Sequence, residues 1–137
     1  MNSSDSYLFV YGTLMRHIGH PMHRFLTTHT EYFCDGCFQG KLFQISWYPA
    51  VVPSSDPTDE VHGEVHRIRN ESALFETLDD YEMCSLSDPA SGEYIRQIAR
   101  IRIPDGNTLD CHIYLYNRGL DQARHIPSGK FISMRGL

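Results

Sequence analysis

Absences narrow this 137-residue sequence before any motif is read. No apolar run approaches the roughly 20 residues needed to cross a bilayer as a helix, so a membrane role is not expected. The polar start, Met1-Asn2-Ser3-Ser4-Asp5-Ser6, lacks the basic-then-apolar pattern of a secretory leader and points to a cytoplasmic protein. Basic residues are in deficit: 12 Lys and Arg against 17 Asp and Glu give a formal charge of −5, which argues against nucleic acid or an anionic membrane surface as a partner. Glycine-rich loops are missing as well. Gly12 stands alone after an apolar run, without the further glycines and lysine of a phosphate loop or the spacing of a dinucleotide fingerprint. There is no G-x-S-x-G elbow and no cysteine in a catalytic setting, so no side-chain nucleophile is evident. Internal repeats, heptads and low-complexity segments are also absent.

Four cysteines are present, Cys34, Cys37, Cys84 and Cys111. In a reducing compartment these read as thiols rather than a disulfide framework. Cys34-Asp-Gly-Cys37 has C-x-x-C spacing, but no second pair follows and its flanks look like strand, not the strand-to-helix setting of a redox site. His62-Gly-Glu-Val-His66 superficially suggests a zinc protease. That motif needs a helix and a different offset for the glutamate, whereas Gly63 and Val65 favour strand. On a strand His62, Glu64 and His66 share one face, where a metal site is geometrically possible; solvent-facing residues are the expected reading, and no metal is assigned.

The ordered elements read as α+β. Tyr7 to Tyr11 is a buried strand by its β-branched and aromatic content. A short helix runs through Met22, Phe25 and Leu26. Glu31 to Ile45 is a long ribbon bent at Gly36 and Gly40, Trp47 to Asp59 with three prolines is a loop, and Val61 to Ile68 is strand. Asn70 caps a helix from Glu71 to Glu82. Ser85 to Gly92 is a polar, mobile surface loop. Ile95, Ala99, Ile101 and Ile103 alternate with Arg96, Arg100 and Arg102, Pro104-Asp105-Gly106-Asn107 makes a tight turn, and Leu109, Cys111, Ile113 and Leu115 alternate again. This is a β-hairpin with its arginines on a solvated outer face. One domain spanning 1–137, with five or six mainly antiparallel strands curled into a barrel, is the simplest architecture.

At about 100° per residue, Leu74, Phe75, Leu78 and Tyr81 occupy an arc roughly 120° wide. Glu76, Asp79 and Asp80 fall outside it and are expected in water, but Glu82 falls inside. Periodicity leaves two readings open. The helix frays and Glu82 is solvated or paired with an arginine such as Arg96, or Glu82 is an acid held in the buried register, where desolvation raises its pKa toward that of a general base.

Several short segments, in order, carry a resemblance. Val10-Tyr11-Gly12-Thr13-Leu14 resembles the Y-G-T/S-L signature of the gamma-glutamylcyclotransferase-like superfamily. Leu78-Asp79-Asp80-Tyr81-Glu82 resembles its L-D-x-[FY]-E helix end, and Tyr94-Ile-Arg96 its following Y-x-R. Tyr48-Pro49-Ala50, Gly63-Glu64-Val65, Tyr114-x-Tyr116 and Ile126-x-x-Gly129 are similar to its supporting segments. Length and the L-D-D-Y-E wording are most similar to the short gamma-glutamylamine cyclotransferase branch. Met83 where the family commonly has Gly, the long spacer from Glu82 to Tyr94, and Gly129-Lys130-Phe131 near the end depart from the pattern and bear on substrate identity.

The resemblance implies a small, mainly antiparallel β-barrel flanked by a few helices, and release of 5-oxoproline from a gamma-glutamyl amine or amino acid without a cofactor. It implies Glu82 as general acid/base and Tyr11, Gly12, Thr13 and Leu14 as the cradle of the glutamyl group, largely through backbone amides. Tyr94 and Tyr116 could add hydroxyls, with ordinary aromatic packing as the competing reading. The expected partner is a small gamma-glutamyl substrate, with a monomer the simplest state. The alternative is a non-catalytic relative that only binds a small carboxylate or amine in the same cavity.

Overall fold

Among the described residues of the computed structural model, residue types sort themselves into nine elements. They are β1 (Tyr7–Val10), α1 (Met22–His29), β2 (Thr30–Ile45), β3 (Tyr48–Pro53), β4 (Glu60–Ile68), α2 (Glu71–Tyr81), β5 (Tyr94–Arg102), β6 (Thr108–Tyr116) and β7 (Arg124–His125). The structure describes residues 5–12, 22–45, 48–81, 92–121 and 123–131. Strands β2, β4, β1, β6 and β5 hydrogen-bond in that order, and Cys37 of β2 pairs with Arg102 of β5, so the sheet closes on itself. Closure removes the open edges that an isolated sheet would expose. The β1–β6 pairing is parallel and the others are antiparallel. The fold is therefore the α+β barrel with flanking helices that the sequence suggested.

The hairpin β5–β6 keeps continuous register from Tyr94↔Tyr116 to Arg102↔Thr108. Its turn closes through Gly106 N–H to the Ile103 carbonyl, with Asp105 Oδ1 accepting from the Asn107 amide. Gly106 has φ 90°, a left-handed conformation that a side chain resists. Asn70 caps α2 as expected, its Oδ1 accepting from the Ala73 amide at 3.1 Å. In the long strand β2 the register slips between Tyr32 and Cys34. The extra residue of this bulge, Phe33, is left exposed.

Two expectations about secondary structure need correction. Within the segment Trp47 to Asp59, residues 48–53 form β3 rather than loop, pairing with β2 from Ile45↔Tyr48 to Gly40↔Pro53. The prolines permit this because β3 ends the strand order, and an edge strand can do without some of its amide donors. The described residues also form seven strands rather than five or six, since β3 and the two-residue β7 both add to β2.

Leu8, Phe9, Val65, Leu74, Leu78, Ile101 and Ile113 are fully or almost fully buried and form the centre of the core. Burying each such side chain contributes roughly 1.5–3 kcal/mol. Helix α2 lies against β5 and β6, where its Phe75 ring meets His112 of β6 at 4.6 Å between centroids and its Asp79 meets Arg96 of β5. Among the described residues, no helix is long and apolar enough to cross a membrane.

Candidate functional site

Three chain segments far apart in sequence converge where β1 ends. A Cβ added at Gly12 would run into the ring of Pro49, so the turn after Tyr11 can approach β3 only because this position has no side chain. Gly12 is therefore required for close approach. On the other side, the buried Tyr94 hydroxyl donates to the Pro49 carbonyl at 2.6 Å. Its proton is thus committed to the backbone, and Tyr94 braces Pro49 against the Gly12 turn. Tyr116 stacks edge-on against Tyr94 with centroids 5.4 Å apart. Burial, then the neighbouring Glu93 charge, push the Tyr116 hydroxyl above its ordinary pKa, so it stays protonated at neutral pH.

A second set of bonds ties this turn to the end of α2. The Tyr11 hydroxyl donates to the Tyr114 carbonyl at 2.5 Å, and the Tyr114 hydroxyl donates to Asp79 Oδ1 at 2.6 Å. Arg96 closes a two-point fork on the same carboxylate, Nε to Oδ1 at 2.9 Å and Nη2 to Oδ2 at 3.2 Å. The guanidinium also lies over the Phe75 ring, 3.9 Å from its centroid. Its Nη1 sits 3.4 Å from His112 Nδ1. Burial first, and then the Arg96 charge, lower the His112 pKa, against opposing pulls from Glu71 and Asp79. A neutral ring leaves Nδ1 able to accept from the guanidinium.

Asp79 and Arg96 therefore contradict their expected solvated positions. Asp79 lies about 40° beyond the apolar arc of α2 at 100° per residue. It is buried because strands β5 and β6 present a guanidinium and a hydroxyl to that edge of the helix. Periodicity missed Asp79, Tyr114 and His112 because it scores apolar side chains. The available signal was an aspartate at the margin of a buried arc, with arginine and tyrosine on a facing hairpin.

Of the expected site residues, the structure brings together Tyr11, Gly12, Tyr94 and Tyr116 through these contacts. Thr13, Leu14 and Glu82 lie outside the described residues, as does the expected surface loop apart from Gly92. Helix α2 is described as far as Tyr81, immediately before Glu82.

The histidine face of β4 also departs from its solvent-facing expectation. Glu64 and His66 are buried, with His66 Nε2 3.1 Å from Glu64 Oε1. Thr30, which follows α1 without a break, donates its hydroxyl to the Leu26 carbonyl and lies 3.4 Å from His66 Nδ1. The α1–β2 junction thus closes over this part of β4 and its polar atoms satisfy one another. His62 is half-exposed and belongs to a different group, with Cys37 and Glu60. His62 and His66 thus have separate neighbours.

Residues 8–133 match the family described as gamma-glutamyl cyclotransferase, AIG2-like. The chain belongs to that family. Among solved structures, the cyclotransferase-family chain is similar to YtfP from Escherichia coli, with 32% identity over 92% of this chain and 96% of the other and a TM-score of 0.63. It is similar to an AIG2-like protein from Mus musculus, with 22% identity over 93% and 94% of the two chains and a TM-score of 0.65. It is also similar to YkqA from Bacillus subtilis, with 25% identity and a TM-score of 0.69 over 93% of this chain but 39% of YkqA. The chain thus spans about two fifths of YkqA. Among curated protein sequences none matches it significantly. Membership supports gamma-glutamyl cyclotransferase-type activity and a small-molecule substrate at the level of the family.

Proposed function

We propose that the protein releases 5-oxoproline and a free amine or amino acid from a gamma-glutamyl substrate, with Glu82 as general acid/base. The observation that carries this reading is the chain of bonds from Tyr11 through Tyr114 to Asp79. It links the Tyr11–Gly12 turn to the last described turn of α2, three residues before Glu82. A general base is useful only if its position relative to the bound substrate is held to a fraction of an ångström, and a strut to Asp79 supports this reading by bracing the helix turn that precedes Glu82.

On this reading Tyr11, Gly12, Thr13 and Leu14 hold the glutamyl group, with Tyr94 bracing the turn and Tyr116 offering a protonated hydroxyl. Glu82 removes a proton from the substrate's α-ammonium group. The freed amine attacks the γ-carbonyl carbon and closes a five-membered ring. The γ-carbon–nitrogen bond then breaks as Glu82 delivers the proton to the leaving nitrogen. A second proton follows from the ring nitrogen, so the ring ends as a neutral lactam and the leaving amine departs as an ammonium ion. No external nucleophile or redox partner is needed, because the attacking group is already on the substrate. Backbone donors reaching the developing oxyanion would each contribute about 3 kcal/mol to the transition state. The L-D-D-Y-E wording is similar to the gamma-glutamylamine branch, and the leaving group, amine or amino acid, is what the substrate panel decides.

The test is 5-oxoproline release, followed by mass spectrometry, across a panel of both substrate classes. Wild type should turn over at least one substrate of the panel, and folded Glu82→Gln should be slower by about 10²- to 10⁴-fold, the usual range for a positioned acid/base. Equal rates would remove Glu82 from the chemistry. Ligand binding without turnover by wild type would favour the non-catalytic alternative.

A further inference from the structure

The barrel seam, where β4, β2 and β5 meet, carries a cluster that the cyclotransferase reading does not use. Cys37 is directly paired with His62 on one side and with Arg102 on the other. Directly paired residues point to the same face, so all three side chains emerge together. Glu60, two residues from His62 along β4, shares that face. Cys37 Sγ lies 3.3 Å from His62 Nδ1, and His62 Nε2 lies 3.9 Å from Glu60 Oε1. One ligand atom from each of the three residues falls within 4.8 Å of the others.

Zinc bonds to sulfur, nitrogen and oxygen imply edges of about 3.3–3.8 Å between ligand atoms in a tetrahedron. The edge from Cys37 Sγ to His62 Nδ1 already has that length; the Glu60 contact is to the other ring nitrogen, Nε2, so a single ion requires the imidazole and the carboxylate to turn toward one centre from within the 4.8 Å span. We propose that Cys37, His62 and Glu60 bind a divalent ion of the zinc class at the barrel seam, with a fourth position open to water. His62 and Glu60 have side chains 38% and 34% exposed, leaving a path for the ion.

The backbone behind the ligands is held in place. The His62 amide donates to the Gly129 carbonyl at 2.7 Å. Gly129 has φ 70°, and a Cβ there would collide with the Glu60 carbonyl. These contacts pin the stretch carrying two of the three ligands. Arg102 holds Glu60 Oε2 at 2.5 Å while Oε1 faces His62, an orientation of the kind that outer hydrogen bonds impose on metal-binding carboxylates. Cys34, the other half of the C-x-x-C spacing, pairs with Val65 beyond the bulge and packs against the core. The site therefore takes one cysteine of the pair and a histidine from the neighbouring strand. A bound ion would join β4 to β2 next to the β2–β5 closure, at the Arg102 end of β5, six residues from the Arg96 that holds Asp79.

Cobalt(II) and zinc(II), added to the reduced full-length protein, decide the matter. Wild type should bind one cobalt ion with a near-ultraviolet sulfur-to-cobalt charge-transfer band, and zinc should displace it. Cys37→Ser should lose the band, and both Cys37→Ser and His62→Ala should bind zinc at least tenfold more weakly, while Cys34→Ser keeps both properties. Circular dichroism checks that each variant is folded. Absence of the band in folded wild type, or its loss in Cys34→Ser with retention in Cys37→Ser, overturns the site. Neither result depends on catalytic turnover.

Discussion

Two arginines on the same strand each grip a carboxylate, and their surroundings separate them. Arg96 and Asp79 meet beneath α2 with side chains 18% and 11% exposed, whereas Arg102 and Glu60 meet on the barrel seam with side chains 54% and 34% exposed. The seam contact is the shorter, 2.5 Å against 2.9 Å. Distance nevertheless ranks the two wrongly, because water screens the seam pair and competes for its hydrogen bonds. Under the helix the charges have left most of their water, and each relies on the other, on Tyr114 and on the Phe75 ring. What matters there is the penalty when one partner is missing.

The largest effect should come from Asp79→Ala, which strands a desolvated guanidinium. Loss of one partner of a buried pair costs about 3–5 kcal/mol; the remaining exposure here reduces the expectation to about 2–4 kcal/mol. Urea unfolding monitored by fluorescence measures it, and a loss below about 1 kcal/mol would put Asp79 and Glu60 in the same class. Arg102→Ala, studied with a chelator present, should leave the unfolding midpoint essentially where it was. A clear drop would show that the seam pair is structural despite its exposure.

The smallest measurable effect under the helix should be a pH dependence from His112, which faces Arg96, Glu71 and Asp79 beside the Phe75 ring. Its pKa in the folded state is below the ordinary 6.5, so the unfolded chain takes up the proton first as acid is added. The stability tied to the neutral ring is complete above about pH 6.5 and declines as pH falls through the lower folded value. His112→Gln should flatten that acid-side slope in a series of unfolding curves from pH 7.5 to about 5. An unchanged slope would mean that other groups dominate acid sensitivity.

Much of the framework was legible from local patterns. Alternation through Ile95 to Leu115 specified the hairpin, Asn70 marked the start of α2, and the glycine-punctuated ribbon anticipated a curved β2. The prolines of β3 misled because local breaking signals do not reveal that a strand lies at a sheet edge. Glu64 and His66 were misplaced for a related reason: a polar strand face reads as solvated unless one knows which helix junction covers it. The Tyr11–Gly12 turn stood out through its family wording, but its need for glycine is a collision with Pro49, 37 residues away.

By itself, the sequence determined the hairpin, the start of α2, the bent ribbon and membership of the cyclotransferase family, because these depend on neighbouring residues and on the order of short motifs. Only the tertiary structure decided which charges lose their water and which polar groups meet. Asp79 acquires Arg96 and Tyr114, and Cys37 acquires His62 and Glu60 rather than Cys34, because barrel closure and strand register set those distances. Spacing along the chain does not.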